Sequence, residues 1–358
     1  MGLPVPVADS KLKTEWVDVS SAWRLQMLLD KLQDKRALFI GEIHDIPEHH
    51  ENQLRVIQAL YENNQDIAIG VEYFQQPFQS VINDYIAGYI DEKEMLVRSE
   101  YFKRWKIDYR MVQPILKFAR EKRIPVLALN ISEEIHHKVF EDGLKSLTPR
   151  ERKLVPSDLQ PISSDYRNRL STIFNSHPEG TKFETFVEGQ MLWDESMADV
   201  SANYLKEHPH TKLVVLAGLG HMMFGDGIPT ALDRRLGGRF SAIAINGDQI
   251  ANYPGVADYI VAAKSDRQLP KPGKLGITID DSSESVVITQ LLADGAARDS
   301  GIELGDRIIT LEGLNISSFA DIKAVMFDKL PGDVVHLTLR RNHLLADKGV
   351  VKLTVPLR

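Results

Sequence analysis

The stretch Ala37-Leu38-Phe39-Ile40-Gly41-Glu42-Ile43-His44-Asp45 decides how the rest of the chain is read. Its first four residues are aliphatic or aromatic with no polar break, as a strand buried on both faces of a parallel sheet requires. The run stops at a glycine and then presents a carboxylate and an imidazole. Side chains alternate along a strand, so Glu42 and His44 point the same way if the extended conformation persists. Asp45 and Glu48 read as a capping pair around Pro47. The helix they open carries His49 and His50 and is expected to turn Leu54, Ile57 and Tyr61 inward. Open α/β sheets place ligands at the carboxyl ends of strands. A capped turn with a solvated acid and histidine would use the same residues, so recurrence has to decide.

The pattern recurs. Ile67-Ala68-Ile69-Gly70-Val71-Glu72-Tyr73-Phe74 repeats the apolar run, the glycine and the glutamate, and Lys212 to His221 is an apolar run ending in Gly218-Leu219-Gly220-His221. Further apolar runs at Ile124–Asn130, Ser241–Ile245 and Tyr259–Ala262 alternate with helical sequence. An amphipathic helix is expected after Val19, with Trp23, Met27, Leu28 and Leu32 on one stripe. Aromatic-rich helical sequence runs from Gln79 to Lys122, where Tyr85, Tyr101 and Tyr109 read as packing. Met191–Leu205 is a strong helix, with Trp193, Met197, Val200 and Tyr204 on its apolar stripe. Strands alternating with helices give an α/β fold, a mainly parallel sheet flanked by helices.

After Gln268-Leu269-Pro270-Lys271-Pro272-Gly273-Lys274 the composition changes to short strands and two short helices, a small α+β domain. The expected division is an α/β domain over 1–265, a linker over 266–273 and a C-terminal domain over 274–358. A chain of 358 residues has room for two or three domains. Hydrophobic residues at 43% and charged residues at 26% are those of a globular protein. A net charge of -7 and the lack of any basic tract argue against nucleic acid as a partner. The absence of cysteine excludes disulfides, thiolate metal sites and cysteine nucleophiles. Met1–Pro6 lacks the basic and then apolar run of a secretory signal.

Parallel strands bring their carboxyl ends to one edge, so Glu42, His44, Glu72 and His221 are expected to meet there. Both histidines stand in a Gly-x-x-His pattern, Gly41-Glu42-Ile43-His44 and Gly218-Leu219-Gly220-His221. Two imidazoles and two carboxylates would suit a divalent metal ion with open positions. Such a site activates water, with Glu42 or Glu72 as the catalytic general base. The bland alternative is a hydrogen-bonded cluster that ties off strand ends. Gly218-Leu219-Gly220 lacks the rest of a dinucleotide fingerprint, and neither HExxH nor G-x-S-x-G occurs. His136 and His137 read as a solvated helix face, His50 as a core residue, and His177, His208 and His210 as loop residues.

The pieces GEIHD with HHENQ, GVEYF, IPVLALN, LWDESMA and AGLGHMMFGDGIP stand in the order of a known family. With them, residues of about 20–265 resemble the ChaN family of haem-binding, iron-regulated proteins in the Tiki/TraB/erythromycin-esterase-like superfamily. The resemblance implies haem held non-covalently at a homodimer interface, iron ligation by a tyrosine, an envelope location, often as a lipoprotein, and a role in iron or haem acquisition. Tyr73 follows the glutamate of GVEYF and is the candidate haem ligand, with Tyr85, Tyr101 and Tyr109 as rivals. The superfamily's enzyme branches place metal or catalytic residues at positions matched here by Glu42, His44, Glu72 and His221. A metal-dependent peptidase or esterase is therefore the alternative. Gly295-Ala296-Ala297-Arg298-Asp299-Ser300-Gly301-Ile302-Glu303-Leu304-Gly305-Asp306-Arg307 and Pro331-Gly332-Asp333 resemble a bacterial PDZ domain of the protease-associated type. That resemblance implies a peptide partner, its C-terminal carboxylate held by the backbone of Leu275, Gly276 and Ile277 while the peptide adds a strand.

Overall fold

The apolar runs form strands in the computed structural model, which describes residues 30–63, 66–175, 182–246, 253–261, 268–282, 285–343 and 346–358. The helix expected after Val19 lies, but for its last residues, outside the described residues. Strands β1 (Ala37–Glu42), β2 (Ile67–Gln75), β3 (Val126–Asn130), β4 (Lys212–Gly218), β5 (Ser241–Asn246) and β6 (Tyr259–Val261) make one sheet in the order β3-β2-β4-β1-β5-β6. All its pairings are parallel. Between them lie α1 (Pro47–Glu62), α2 (Gln79–Ala87), α3 (Glu92–Arg98), α4 (Tyr101–Arg104), α5 (Tyr109–Lys122), α6 (Glu133–Asp142), α7 (Ser164–Phe174), α8 (Phe183–Glu207) and α9 (Ile228–Leu236).

One face of this sheet presents Ala37, Phe39, Ala68, Leu213, Val215, Ala217, Ile243 and Ile245, and α8 covers it with Met197, Ala198, Ala202 and Leu205. These side chains are almost wholly buried, and the larger ones each contribute roughly 1.5–3 kcal/mol of apolar transfer. The α1 entry differs from its sequence reading. Ile46 occupies the N-cap and offers no side-chain hydrogen bond, so Asp45 and Glu48 form no capping box, and Pro47 supplies the start through its fixed φ. Tyr61 is 37% exposed rather than inward, because Val56, Ile57 and Leu60 take the buried stripe.

The described chain forms two compact units, and their boundary is not a single cut. One unit takes the chain up to Tyr89 and from Pro114 to Asp266, and the other takes Ile90–Gln113 together with Arg267–Arg358. The second unit holds an antiparallel sheet in the order β12-β11-β9-β8-β7. Its elements are β7 (Ile277–Asp280), β8 (Val286–Leu291), α10 (Ala296–Asp299), β9 (Arg307–Leu311), β10 (Leu314–Asn315), α11 (Phe319–Met326), β11 (Val334–His343) and β12 (Ala346–Pro356). β10 pairs with β9 beside the main order. Val286, Ile308, Leu311, Val325, Val335 and Leu339 lie in its core. Helices α3 and α4 pack on α11, and Tyr109, wholly buried, sets its ring edge-on to Phe327 at 5.1 Å. The Tyr109 hydroxyl donates to Glu92 at 2.9 Å. The aromatic-rich stretch after Gln79 thus divides its packing between two cores.

Candidate functional site

Register explains what meets at the carboxyl edge. Glu42 pairs with Gly218 across β1 and β4, and Val71 pairs with Leu216 across β2 and β4, which sets Glu72 opposite Ala217. Ala217 belongs to the face covered by α8, so Glu72 points to that face and Glu42 to the face of α1. The two acids share an edge but lie on opposite sides of the sheet. Glu42, His44, Glu72 and His221 stand at one edge as two acid–imidazole pairs, Glu42 with His44 and Glu72 with His221, and Glu72 also acts on His44 across Gly218. Among the described residues no three His, Asp or Glu side chains are arranged to hold a metal ion.

On the α1 face, Glu42 is 3% exposed. His44 Nδ1 lies 2.8 Å from its Oε1, and Gln53 Nε2 donates to its Oε2 at 2.6 Å. His50 stands beside the same oxygen at 3.4 Å, and its Nε2 donates to the His44 carbonyl at 3.0 Å. His49 Nδ1 accepts from the Ile43 N–H at 2.9 Å, which leaves its ring in the Nε2–H tautomer. Burial alone would raise Glu42, but His50, His44 and Gln53 outweigh it and hold the carboxyl below the usual range. Burial would likewise lower His44, whereas Glu42 and Glu72 raise it.

On the α8 face, Glu72 is 2% exposed and accepts from the Gly218 N–H at 2.7 Å. His221 Nε2 faces Glu72 at 3.4 Å, and its Nδ1 meets Asp194 at 2.5 Å. Tyr166 donates to the other Asp194 oxygen at 2.8 Å, and Gln190 donates to the Tyr166 hydroxyl at 3.2 Å. Burial works against both charges of the central pair. The His221 charge and the Gly218 N–H nevertheless hold Glu72 down at about 2, and Glu72 with Asp194 pushes His221 up to about 10. Asp194 is raised, because burial there outweighs His221. Gly227 has no room for a side chain: a Cβ would lie 2.4 Å from the His221 carbonyl and 3.0 Å from Asp194, and its φ is +63°.

His44 joins the two sides. Its ring lies over Gly218, where a Cβ would come within 3.0 Å of Cε1 and Nε2. Its side chain is 33% exposed, against 2% for Glu42 and Glu72 and 8% for His221. Of these four side chains His44 is the one most open to solvent. Chemically this is a surface imidazole with a buried carboxylate on Nδ1, an arrangement that serves either as a general base or as a metal-ligating histidine with its orienting partner.

Asp194, Gln190, Tyr166 and Gln53 were not singled out as site residues from the sequence. Gln190 and Asp194 stand one helical turn apart on α8, so polar residues at i and i+4 beside an otherwise apolar stripe were the available signal. His136 also differs from its reading as a solvated residue. Its ring packs on Trp193 at 4.5 Å, Trp193 lies edge-on to His221 at 4.8 Å, and burial with the His221 charge lowers His136 to about 4.

The proposed haem ligands can be placed too. Tyr73 lies on the Glu42 face, is 3% exposed, and is raised well above the ordinary phenol range by burial and by Glu42. Tyr85 and Tyr101 are 1% exposed and Tyr109 is fully buried, whereas Tyr89 is 82% exposed. A haem iron needs one axial donor on an accessible face, and the donor chemistry that fits it at the sheet edge is the His44 imidazole backed by Glu42.

Residues 28–232 match the family described as haem-binding uptake, Tiki superfamily, ChaN. The chain belongs to this family. Residues 264–340 match the PDZ domain, in accord with the antiparallel sheet of the second unit. ChaN of Campylobacter jejuni, solved with cofacial haem, superposes with a TM-score of 0.52 at 18% identity over 66% of this chain and 89% of that one, a likeness of fold. The erythromycin esterase EreC in its open conformation gives 0.39 at 13% identity over 62% of this chain and 72% of that one. Protein RETICULATA-RELATED 5, chloroplastic, of Arabidopsis thaliana is 20% identical over 226 residues, 58% of this chain, and the match spans 30% of that relative's length.

Proposed function

We propose that this ChaN-family chain binds haem at the carboxyl edge of its parallel sheet and recruits a protein through its PDZ domain, in the service of iron or haem acquisition at the cell envelope. The observation that carries the reading is the family match over 28–232, which spans every residue of the sheet-edge cluster. His44 is the group that would hold the iron, with Glu42 fixing the ring. When bound, the haem would supply an iron centre whose affinity and potential are set by that histidine and by the burial around it. The two acid–imidazole pairs would hold the edge rigid beneath it. A dimer with one haem face from each copy is part of the same reading. Titration with haemin tests it: a shifted haem band at stoichiometric haemin, lost in His44→Ala, is the expected result, and no shifted band in the native chain refutes it.

A second reading, a hydrolase, is favoured by one observation, the exposed His44 ring oriented by buried Glu42. There His44 takes the proton from a water, and Glu42 stabilises the imidazolium that forms. Cleavage of a chromogenic ester or peptide by the native chain, abolished in His44→Ala and reduced in Glu42→Gln, would support it. Equal rates in the native chain and in His44→Ala would remove it.

A further inference from the structure

The first unit carries a fixed basic tip at the far end of α6. Helix α6 runs antiparallel to α8: the His136 ring packs on Trp193, Phe140 lies against Gly189, and the Leu144 N–H donates to Glu188 at 2.6 Å. Met197, Ala198, Ala202 and Leu205 of α8 cover the sheet, and Asp194 meets His221 at the carboxyl edge. Glu188 lies about 9 Å farther along the helix than Asp194, and so past that edge. The segment after α6, residues 143–159, is therefore held at the same end of the unit as His44. Leu147 and Val155 anchor it in a small core with Ile131, Ile135, Val139 and Leu192.

This segment is both charged and rigid. Lys145, Arg150, Arg152 and Lys153 are all exposed, and no carboxylate among the described residues pairs with them. The acids around them are already committed. Glu151 accepts from Lys138 at 2.8 Å, Asp158 from Arg235 at 2.7 Å, and Glu188 from the Leu144 N–H. Glu141 and Asp142, exposed at the end of α6, form no ion pair with the four cations. Thr148 and Glu151 close a capping box: the Thr148 N–H and hydroxyl donate to Glu151 at 2.7 and 2.8 Å, and the Glu151 N–H returns to the hydroxyl at 3.3 Å. Arg152 donates to the Leu144 carbonyl at 2.6 Å, which folds its guanidinium back beside Lys145. Leu154, next to buried Val155, is 62% exposed. A chain of net charge -7 thus gathers four cations and one acid, itself paired, within residues 145–154, with an apolar side chain at the end of the run.

We infer that this tip docks on an anionic phospholipid surface, with Lys145, Arg150, Arg152 and Lys153 on the phosphates and Leu154 entering the headgroup layer. Phosphate oxygens supply the acceptors that these four charged heads lack. Residues 143–159 contain no aromatic ring on which a base could stack and no strand edge along which a peptide could extend. Each cation near an anionic membrane contributes about fivefold in partitioning, so the four together give on the order of several hundredfold. That attraction is screened over ~8 Å at physiological ionic strength, whereas the Leu154 contact is apolar and salt leaves it in place. Docked in this way, the carboxyl edge with His44 faces the headgroups. Docking at this tip does not depend on what the edge binds.

Co-sedimentation of the full chain with vesicles tests this. Vesicles of phosphatidylcholine and phosphatidylglycerol in equal parts should carry the chain down at low salt and release most of it at high salt, and vesicles of phosphatidylcholine alone should leave it in solution. Arg150→Glu combined with Lys153→Glu should weaken binding to the mixed vesicles at least ~25-fold, the product of two lost cations. The same reversal at the exposed Arg307 and Arg340 of the second unit should leave binding close to native. Leu154→Ser should weaken it severalfold at low and high salt alike. Equal binding to both kinds of vesicle, or native binding by the Arg150→Glu, Lys153→Glu chain, overturns the inference. An equal loss in the Arg307→Glu, Arg340→Glu chain overturns the assignment to this tip. Binding to polyglutamate that needs Arg150 and Lys153, with no binding to the mixed vesicles, would give the cations to an acidic polypeptide and overturn the lipid assignment.

Discussion

Replacing Glu72 by glutamine keeps the side chain's shape and an acceptor for the Gly218 N–H, and removes only the charge that faces His221. Burial opposes the His221 charge, yet Glu72 and Asp194 raise it from its ordinary 6.5 to about 10. A rise of that size corresponds to roughly 5 kcal/mol, at about 1.4 kcal/mol for each tenfold change in acidity. Asp194 at 2.5 Å is the nearer partner and remains. Loss of Glu72 should therefore cost about half, ~2–3 kcal/mol, a little under the usual cost of breaking a buried ion pair. In a unit of roughly 240 residues this lowers the unfolding temperature by about 4–12 °C. The pH dependence carries a sign. The His221 contribution is complete below pH 6.5 and fades as pH climbs to about 10. The Glu72 contribution is complete above its ordinary 4.5 and fades as pH falls toward about 2. Native and variant chains should differ most between pH 4.5 and 6.5. Thermal unfolding followed by circular dichroism from acid to alkaline pH reads this directly. An identical unfolding temperature at pH 6, or a difference that does not shrink on the alkaline side, would refute the reasoning.

Gly218→Ala puts a Cβ 3.0 Å from the His44 ring and should displace that ring, so haemin binding should fall at least tenfold while thermal stability changes little. Glu42→Gln removes a leading support of the His44 charge, and the His44 titration followed by NMR should move to lower pH. Tyr109→Ala empties a fully buried site against Phe327 and removes the hydroxyl that donates to Glu92. It should cost the second unit about 3–5 kcal/mol in urea unfolding.

The parallel sheet was legible because each of its inner strands is an unbroken apolar run, and because Gly41, Gly70 and Gly218 recur near the strand ends. The shared edge of Glu42, Glu72 and His221 followed from strand direction alone. Their separation onto two faces did not, because it depends on Glu42 pairing with Gly218 and Glu72 standing opposite Ala217 across long stretches of chain. Local pattern carries no such register. Asp194 was hidden for a related reason: one carboxylate in a long helix looks solvated until the position of His221 is known. His136 sat in charged sequence, and only the packing of Trp193 against it shows that its ring leaves solvent.

The excursion of Ile90–Gln113 has a consequence for how this chain can be inherited and cut. A PDZ domain joined by a single linker travels between genes as one contiguous segment. Here a breakpoint in the 266–273 linker would carry off α11 without the helices that cover Phe327, leaving an apolar flank on the transplanted module. A fragment for biophysical work has the same requirement: the second unit is whole only when Ile90–Gln113 is supplied with it.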